Sequence, residues 1–163
     1  MKQKTCAFHD SYDAVKFLDM LENSPDYKNA KSVFINVFTD RIQEDYLEYL
    51  STIIKSKLPK AKLAGLTCLA SFAHGERLNA STIFTVLFFF KSQVEVLEFD
   101  FAKISGEEAK EIFLNKIQND SLIKGIQVFT TPMQNTACAD FLSEISSQCR
   151  NIPLFGAGAE KNL

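Results

Sequence analysis

The sequence predicts an α/β fold, a mixed β-sheet with a central antiparallel hairpin and helices packed on it. Three observations carry that expectation. Amphipathic stripes at helical spacing alternate along the chain with short β-branched and aromatic runs. Residues 82–90, TIFTVLFFF, are apolar on both faces, as a central strand is. Lys91, Ser92 and Gln93 form a short polar turn, and Val94 to Phe101 returns as a second apolar run, the signature of a hairpin.

The elements follow in order. Residues 1–9 read as a flexible leader and 10–163 as a single α/β domain. Asp10 or Ser11 is placed to cap a first helix whose apolar stripe is Val15, Leu18 and Leu21, stopped by Asn23, Ser24 and Pro25. Val33 to Phe38 is a strand by its valines and phenylalanines. Asp40 with Gln43 has capping-box spacing, and Ile42, Tyr46, Leu50, Ile53 and Ile54 form the next stripe, which Pro59 ends. A strand from Ala61 to Leu69 comes next. In the hairpin's return strand the apolar phase changes between Val96 and Leu97, which suggests a bulge or burial on both sides.

Ser105 and Glu108 form a second capping box, with Ala109, Ile112, Phe113 and Ile117 as the stripe behind it. Ile123 to Thr130 is a strand. Cys138, Phe141, Leu142, Ile145 and Cys149 mark a last helix, and Ile152 to Phe155 a brief final strand. No repeat and no low-complexity segment is evident.

Composition narrows the function. The 163 residues, 46% hydrophobic and 23% charged, suffice for a domain with its own core. A formal net charge of −2 leaves no basic footprint, which argues against nucleic acid and acidic membranes as partners. The longest apolar run is too short to span a bilayer, and the N-terminus lacks the apolar core of a secretory signal, so a cytoplasmic protein is expected. Cys6, Cys68, Cys138 and Cys149 form no CxxC pair and have no His at ligand spacing, so no metal and no cofactor is expected. Cys138 and Cys149 lie on one helix face about 16 Å apart, too far for a disulfide.

Candidate site residues gather where strands end. In AKLAGLTCLASFAHG, residues 61–75, small residues keep the backbone accessible after a strand: Gly65, Thr67, Cys68 and Ser71 line the turn, with Phe72 and His74 as a ring and a proton-exchanging group. Thr130, Thr131 and Asn135 follow a second strand. Gly156 and Gly158, in FGAGA, form a second small-residue turn. If those strands run parallel in one sheet, the three loops meet at one edge, where α/β folds hold small ligands. Gly65 equally suits close packing of a helix on the strand, and His74 reads first as a surface-loop histidine, since a His-Gly pair in a turn needs no function.

The order of elements, the strand AKLAGLTCLASF and the terminal IPLFGAGAE resemble the N-terminal half of the FIST sensory domain, a bacterial intracellular signal-transduction input. Gly65 and Thr67 match that family's first pattern; Cys68, Ala70 and Ser71 depart from it. Gly156 and Ala159 match its second, with Ala157 and Glu160 in two glycine places, and Thr131 and Pro132 stand where Asp-Gly is usual. The resemblance implies a non-catalytic domain binding a small molecule, amino acids being the family-level suggestion. It further implies a C-terminal half beyond Leu163 and an output module such as a diguanylate cyclase or a histidine kinase.

Two other classes compete. A small hydrolase would need Cys68 and His74 to meet across their loop, and no GxSxG, P-loop or HExxH motif supports one. A pure interaction module would use an exposed strand edge to pair with a second copy, giving a homodimer, or with the C-terminal half.

Overall fold

In the computed structural model the described residues are 1–68, 71–73, 76–78, 82–118, 122–130 and 136–158, without the side chains of 71–73, 76–78, 118, 136 and 137. The fold is α/β with a mixed sheet, and the chain divides into two compact units, Met1–Val96 and a second that begins at Leu97.

The first unit opens with β1 (Lys2–Phe8), so the expected leader is instead a strand, paired antiparallel along its whole length. Its ordering is explained by Phe8, 1% exposed, which packs edge-on against Phe84 with ring centroids 4.8 Å apart. Helix α1 (Ser11–Glu22) is capped by Asp10, whose carboxylate accepts the Asp13 N–H at 3.0 Å. Ser24 then caps a short α2 (Pro25–Asn29), with the proline in the first helical turn, where a missing N–H costs nothing.

Strand β2 (Ser32–Thr39) leads into α3 (Glu44–Lys57) and β3 (Ala61–Thr67). The capping box at Asp40 and Gln43 does not form. Gln43 is itself the cap residue of α3 and makes no side-chain cap bond, and Ile42, 55% exposed, lies ahead of the helix. After β3, Ser71–Ala73 (β4) and Glu76–Leu78 (β5) pair antiparallel, and β6 (Thr82–Phe89) completes the sheet. The four-stranded order is β1-β6-β2-β3, with β6 antiparallel to both neighbours and β2 parallel to β3. Alternate residues of these strands (Val33, Ile35, Val37, Phe84, Val86, Phe88) form one core with Leu18 and Leu21 of α1 and Leu50 and Ile54 of α3. Thr82–Phe89 is thus the central strand expected from its apolarity, but its antiparallel partners are β1 and β2. Residues 91–100 form no strand, so the hairpin with Val94 to Phe101 is absent.

The second unit has α4 (Gly106–Gln118), β7 (Ile126–Thr130), α5 (Thr136–Gln148) and β8 (Leu154–Gly158). The capping box of α4 forms as expected. The Glu108 carboxylate accepts the Ser105 N–H at 2.8 Å while Ser105 Oγ accepts the Glu108 N–H at 3.2 Å. Ala109, Phe113, Phe141, Ile145 and Cys149 make the core, and the Phe141 ring touches those of Phe99, Phe101 and Phe113. Strands β7 and β8 pair parallel in a sheet of their own, so one sheet does not carry every strand. Glycines 156 and 158 lie inside β8 rather than in a turn.

The two units share a pattern that the linear sequence conceals. Ile35, Val37, Phe38 and Thr39 of β2 recur in β7 as Ile126, Val128, Phe129 and Thr130, 91 positions later. The pairings Ile35↔Leu63 and Val37↔Gly65 recur as Ile126↔Leu154 and Val128↔Gly156, so strand spacing and register repeat without a gap. The buried helix-side residues Leu50, Ile54 and Leu58 correspond to Phe141, Ile145 and Cys149 at the same offset. At this offset nine of the 36 residues in 32–67 are identical to those in 123–158, and β4, β5 and β6 separate the copies, so no periodicity shows along the chain.

Candidate functional site

Strands β2 and β3 run parallel, and their carboxyl ends, Thr39 and Thr67, lie side by side in register. The Cys68 N–H donates to the Thr39 carbonyl at 2.9 Å, extending the ladder by one rung. That N–H is therefore committed to the sheet rather than turned outward to a ligand. Thr82, the first residue of β6, pairs with Thr39 from the other side.

A hydroxyl network sits at this edge. Thr39 Oγ1 and Thr82 Oγ1 are 2.9 Å apart, and the Tyr46 hydroxyl lies 2.7 Å from Thr82 Oγ1. Thr39 and Thr82 are only 2% and 1% exposed, so these bonds are made out of water, where leaving them unmade would cost about 1–3 kcal/mol each. The Arg41 N–H donates to Thr39 Oγ1 at 3.1 Å. The Arg41 guanidinium lies 4.8 Å from the Tyr46 ring centre and donates to the His9 carbonyl at 2.7 Å. A cation is thereby held over an aromatic face, beside the strand ends, and remains partly exposed.

One further buried polar atom stands apart from this network. Asn36, on β2 and 5% exposed, has a side-chain oxygen without a hydrogen-bond partner. It occupies the sheet face opposite the helices, since Ile35 and Val37 on either side face the helical core.

The expected site residues divide between the units. Gly65, Thr67 and Cys68 are on β3 or directly after it. Ser71 and Phe72 belong to β4, opposite Leu78 and Arg77, so the stretch expected as one open loop carries a short strand pair. Thr130, Gly156 and Gly158 are on β7 and β8 in the second unit, with Thr130 in register with Gly158. His74, Thr131 and Asn135 lie outside the described residues. The two glycines have a packing reason. A Cβ at Gly65 would overlap the Val37 carbonyl, and one at Gly156 would overlap the Val128 carbonyl, so the parallel partners approach more closely than a side chain permits.

Thr39, Arg41, Tyr46 and Thr82 were not singled out from the sequence. The available signal was threonine at the end of one apolar run and the start of another, which gains meaning only when β6 returns beside β2.

Cys6, Cys68, Cys138 and Cys149 are free thiols, and Cys138 and Cys149 are buried. Burial pushes both of those thiols above their ordinary pKa, so they stay protonated. Burial also raises the Cys6 thiol. Among the described residues no group of three or more His, Cys, Asp or Glu is placed to hold a metal ion. Nor is any helix among them long and apolar enough to cross a membrane.

No protein-family model matches the chain, and no curated protein or solved structure matches it.

Proposed function

We propose that the chain is a non-catalytic, cytoplasmic sensory input domain of the kind the FIST resemblance implies. In this reading it binds a small polar molecule at the carboxyl-terminal edge of β2 and β3 and regulates an output module such as a diguanylate cyclase or a histidine kinase. The observation that carries the reading is the partly exposed Arg41 guanidinium, held over the Tyr46 ring beside the buried Thr39–Thr82–Tyr46 hydroxyls at the end of a parallel strand pair. Strand ends of α/β sheets are where ligands bind, because backbone and side-chain polar groups converge there. A guanidinium at such an edge suits a carboxylate, and the Thr67 hydroxyl suits a neutral polar group, so an amino acid fits the chemistry.

Titration calorimetry of the full chain against an amino-acid panel tests this. A member of the panel should bind, with affinity falling at least tenfold in Arg41→Ala and severalfold in Thr67→Val, as loss of a charge-assisted and a neutral hydrogen bond respectively would cause. Binding that both variants leave unchanged would move the site elsewhere, and no binding by any member would remove amino acids as the ligand class.

A further inference from the structure

We propose that Arg41 couples the ligand edge to the corner between β1 and α1, so that a carboxylate held by its guanidinium steadies that corner and a steadied corner strengthens the binding. This coupling rests on the reading of that edge as the ligand site. Three elements distant in sequence meet at the one side chain. The Arg41 backbone follows β2, and its N–H donates to Thr39 Oγ1 at 3.1 Å. The guanidinium lies 4.8 Å from the ring centre of Tyr46 in α3, and its Nη2 donates to the His9 carbonyl at 2.7 Å. His9 stands between Phe8, the end of β1, and Asp10, the cap of α1.

The chemistry of the guanidinium permits both contacts at once. It carries five N–H donors and two edges that can each grip a carboxylate with two parallel bonds. Nη2 has one hydrogen on each edge, so its bond to the His9 carbonyl uses one edge and leaves the other whole. Ligand and corner are then held by opposite edges of one rigid plane. The Tyr46 ring lies against the face of that plane, and its hydroxyl is fixed in turn, 2.7 Å from Thr82 Oγ1. Lysine offers no such plane, being a point charge on a flexible stem.

The coupling has a thermodynamic source. Arg41 is partly exposed and its bond to His9 lies at the surface, so water competes for it. An arginine side chain also gives up much rotamer freedom when it is ordered. A carboxylate on one edge meets that cost, and the bond on the other edge then forms without it. Two contacts that share one ordering cost favour each other, and no change of backbone is needed. The dependence is reciprocal, so whatever orders the corner raises carboxylate affinity by the same factor.

From the corner the effect reaches two elements. On one side Phe8, 1% exposed, packs on Phe17 and Phe84 and ties the end of β1 to the core. On the other, Asp10 accepts the Asp13 N–H at 3.0 Å and so fixes the first turn of α1. Steadying the peptide between them therefore acts on β1 and α1 together.

Acetate, the bare carboxylate, tests the coupling on the full chain, with chloride at equal ionic strength as the reference. Amide exchange at Asp13, followed by nuclear magnetic resonance, reports the state of the corner. Without a carboxylate, Arg41→Ala should already speed that exchange, because the bond to the His9 carbonyl is lost. Acetate should slow it about fivefold in the unsubstituted chain, the lower end of ordinary coupling, and should change neither Arg41→Ala nor Arg41→Lys. Reciprocity is read in two variants that lose the same charge. Asparagine caps a helix as aspartate does and alanine does not, so acetate should bind Asp10→Ala about fivefold more weakly than Asp10→Asn. Exchange at Asp13 that Arg41→Ala leaves as it was, acetate protection that is absent or equal with and without Arg41, or equal affinities of the two Asp10 variants would each overturn the coupling. Amino-acid binding without a change at Asp13 would overturn it too and leave the ligand site standing. Acetate protection with no amino acid bound would support the coupling and remove the amino-acid reading.

Discussion

The chain contains two versions of one β–α–β arrangement, and they differ in the company they keep. In the first, β2 and β3 belong to a four-stranded sheet, and β2 is buried at seven of its eight residues. In the second, β7 and β8 form a pair, and β7 is half-buried throughout. The shared residues Ile, Val, Phe and Thr are equally apolar in both places. Among the described residues they differ by β6, which covers one edge of β2 and brings Phe84, Val86 and Phe88 into the core beside it. The burial of a strand is thus set by its neighbours as much as by its composition. Full burial of one Val or Ile side chain is worth about 1.5–3 kcal/mol, so the first copy gains several such contributions that the second only partly realises.

The sharpest test of that difference is a pair of core truncations. Phe84→Ala removes a ring that is 0% exposed and packed on Phe8, and should cost about 3–5 kcal/mol in urea unfolding followed by circular dichroism. Phe141→Ala, at 7% exposure in the smaller core, should fall at or below the lower end of that range. A larger loss at Phe141 would break the comparison.

Next come the two close approaches. Gly65→Ala and Gly156→Ala each place a methyl group against a partner-strand carbonyl, Val37 in one copy and Val128 in the other. Each should destabilise by about 1–3 kcal/mol, with Gly65→Ala the worse because β2 is held from both sides and cannot yield. Thermal melting ranks them, and a reversed order would mean that the two-stranded sheet is the more rigid.

A smaller effect separates the corresponding threonines. Thr39→Val leaves the buried Thr82 hydroxyl and the Arg41 N–H each short of a partner, and should cost about 1–3 kcal/mol. Thr130→Val, at a half-buried position, should stay within about 0.5 kcal/mol. Equal losses in chemical denaturation would show that the hydroxyl network contributes nothing particular to the first copy.

The smallest effect is electrostatic. A hydrogen bond from Lys2, 2.8 Å from the carboxylate, and then Lys4 hold the Asp26 carboxyl below the usual carboxylate range. Its folded-state pKa is depressed, so its contribution is present above the unfolded value and is lost as pH falls through the folded one. Acidification below the usual carboxylate range should therefore loosen β1 from α2, seen as faster amide exchange in residues 2–8. Salt should blunt the effect, since Lys2 is exposed and Lys4 only half-buried. Slower exchange in acid would contradict the sign.

Much of the local structure was legible because its causes are local. The Ser105–Glu108 box needs two side chains three residues apart, and the buried faces of α1 and α5 follow helical spacing at Leu18, Leu21, Phe141 and Ile145. Asp40 and Gln43 have the same spacing, but the chain enters α3 only at Glu44, after Arg41 has turned back to Thr39. Of the candidate site, the Gly65–Thr67–Cys68 stretch was found at a strand end, whereas its polar neighbours come from β6 and α3, distant in sequence.

What the sequence determined by itself was the set of elements: helices from their stripes and caps, and the central place of Thr82–Phe89 from apolarity on both faces. Tertiary structure alone decided which strands they meet. Lys2–Phe8 is polar enough to read as a leader, yet it is a strand because β6 offers it a full ladder of backbone partners. Val94 to Phe101 is apolar enough to read as a strand, yet residues 91–100 form none, with no ladder beside them among the described residues. A strand's backbone bonds are made to another segment, so its own residues state only a readiness to pair, and the partner determines whether the strand exists.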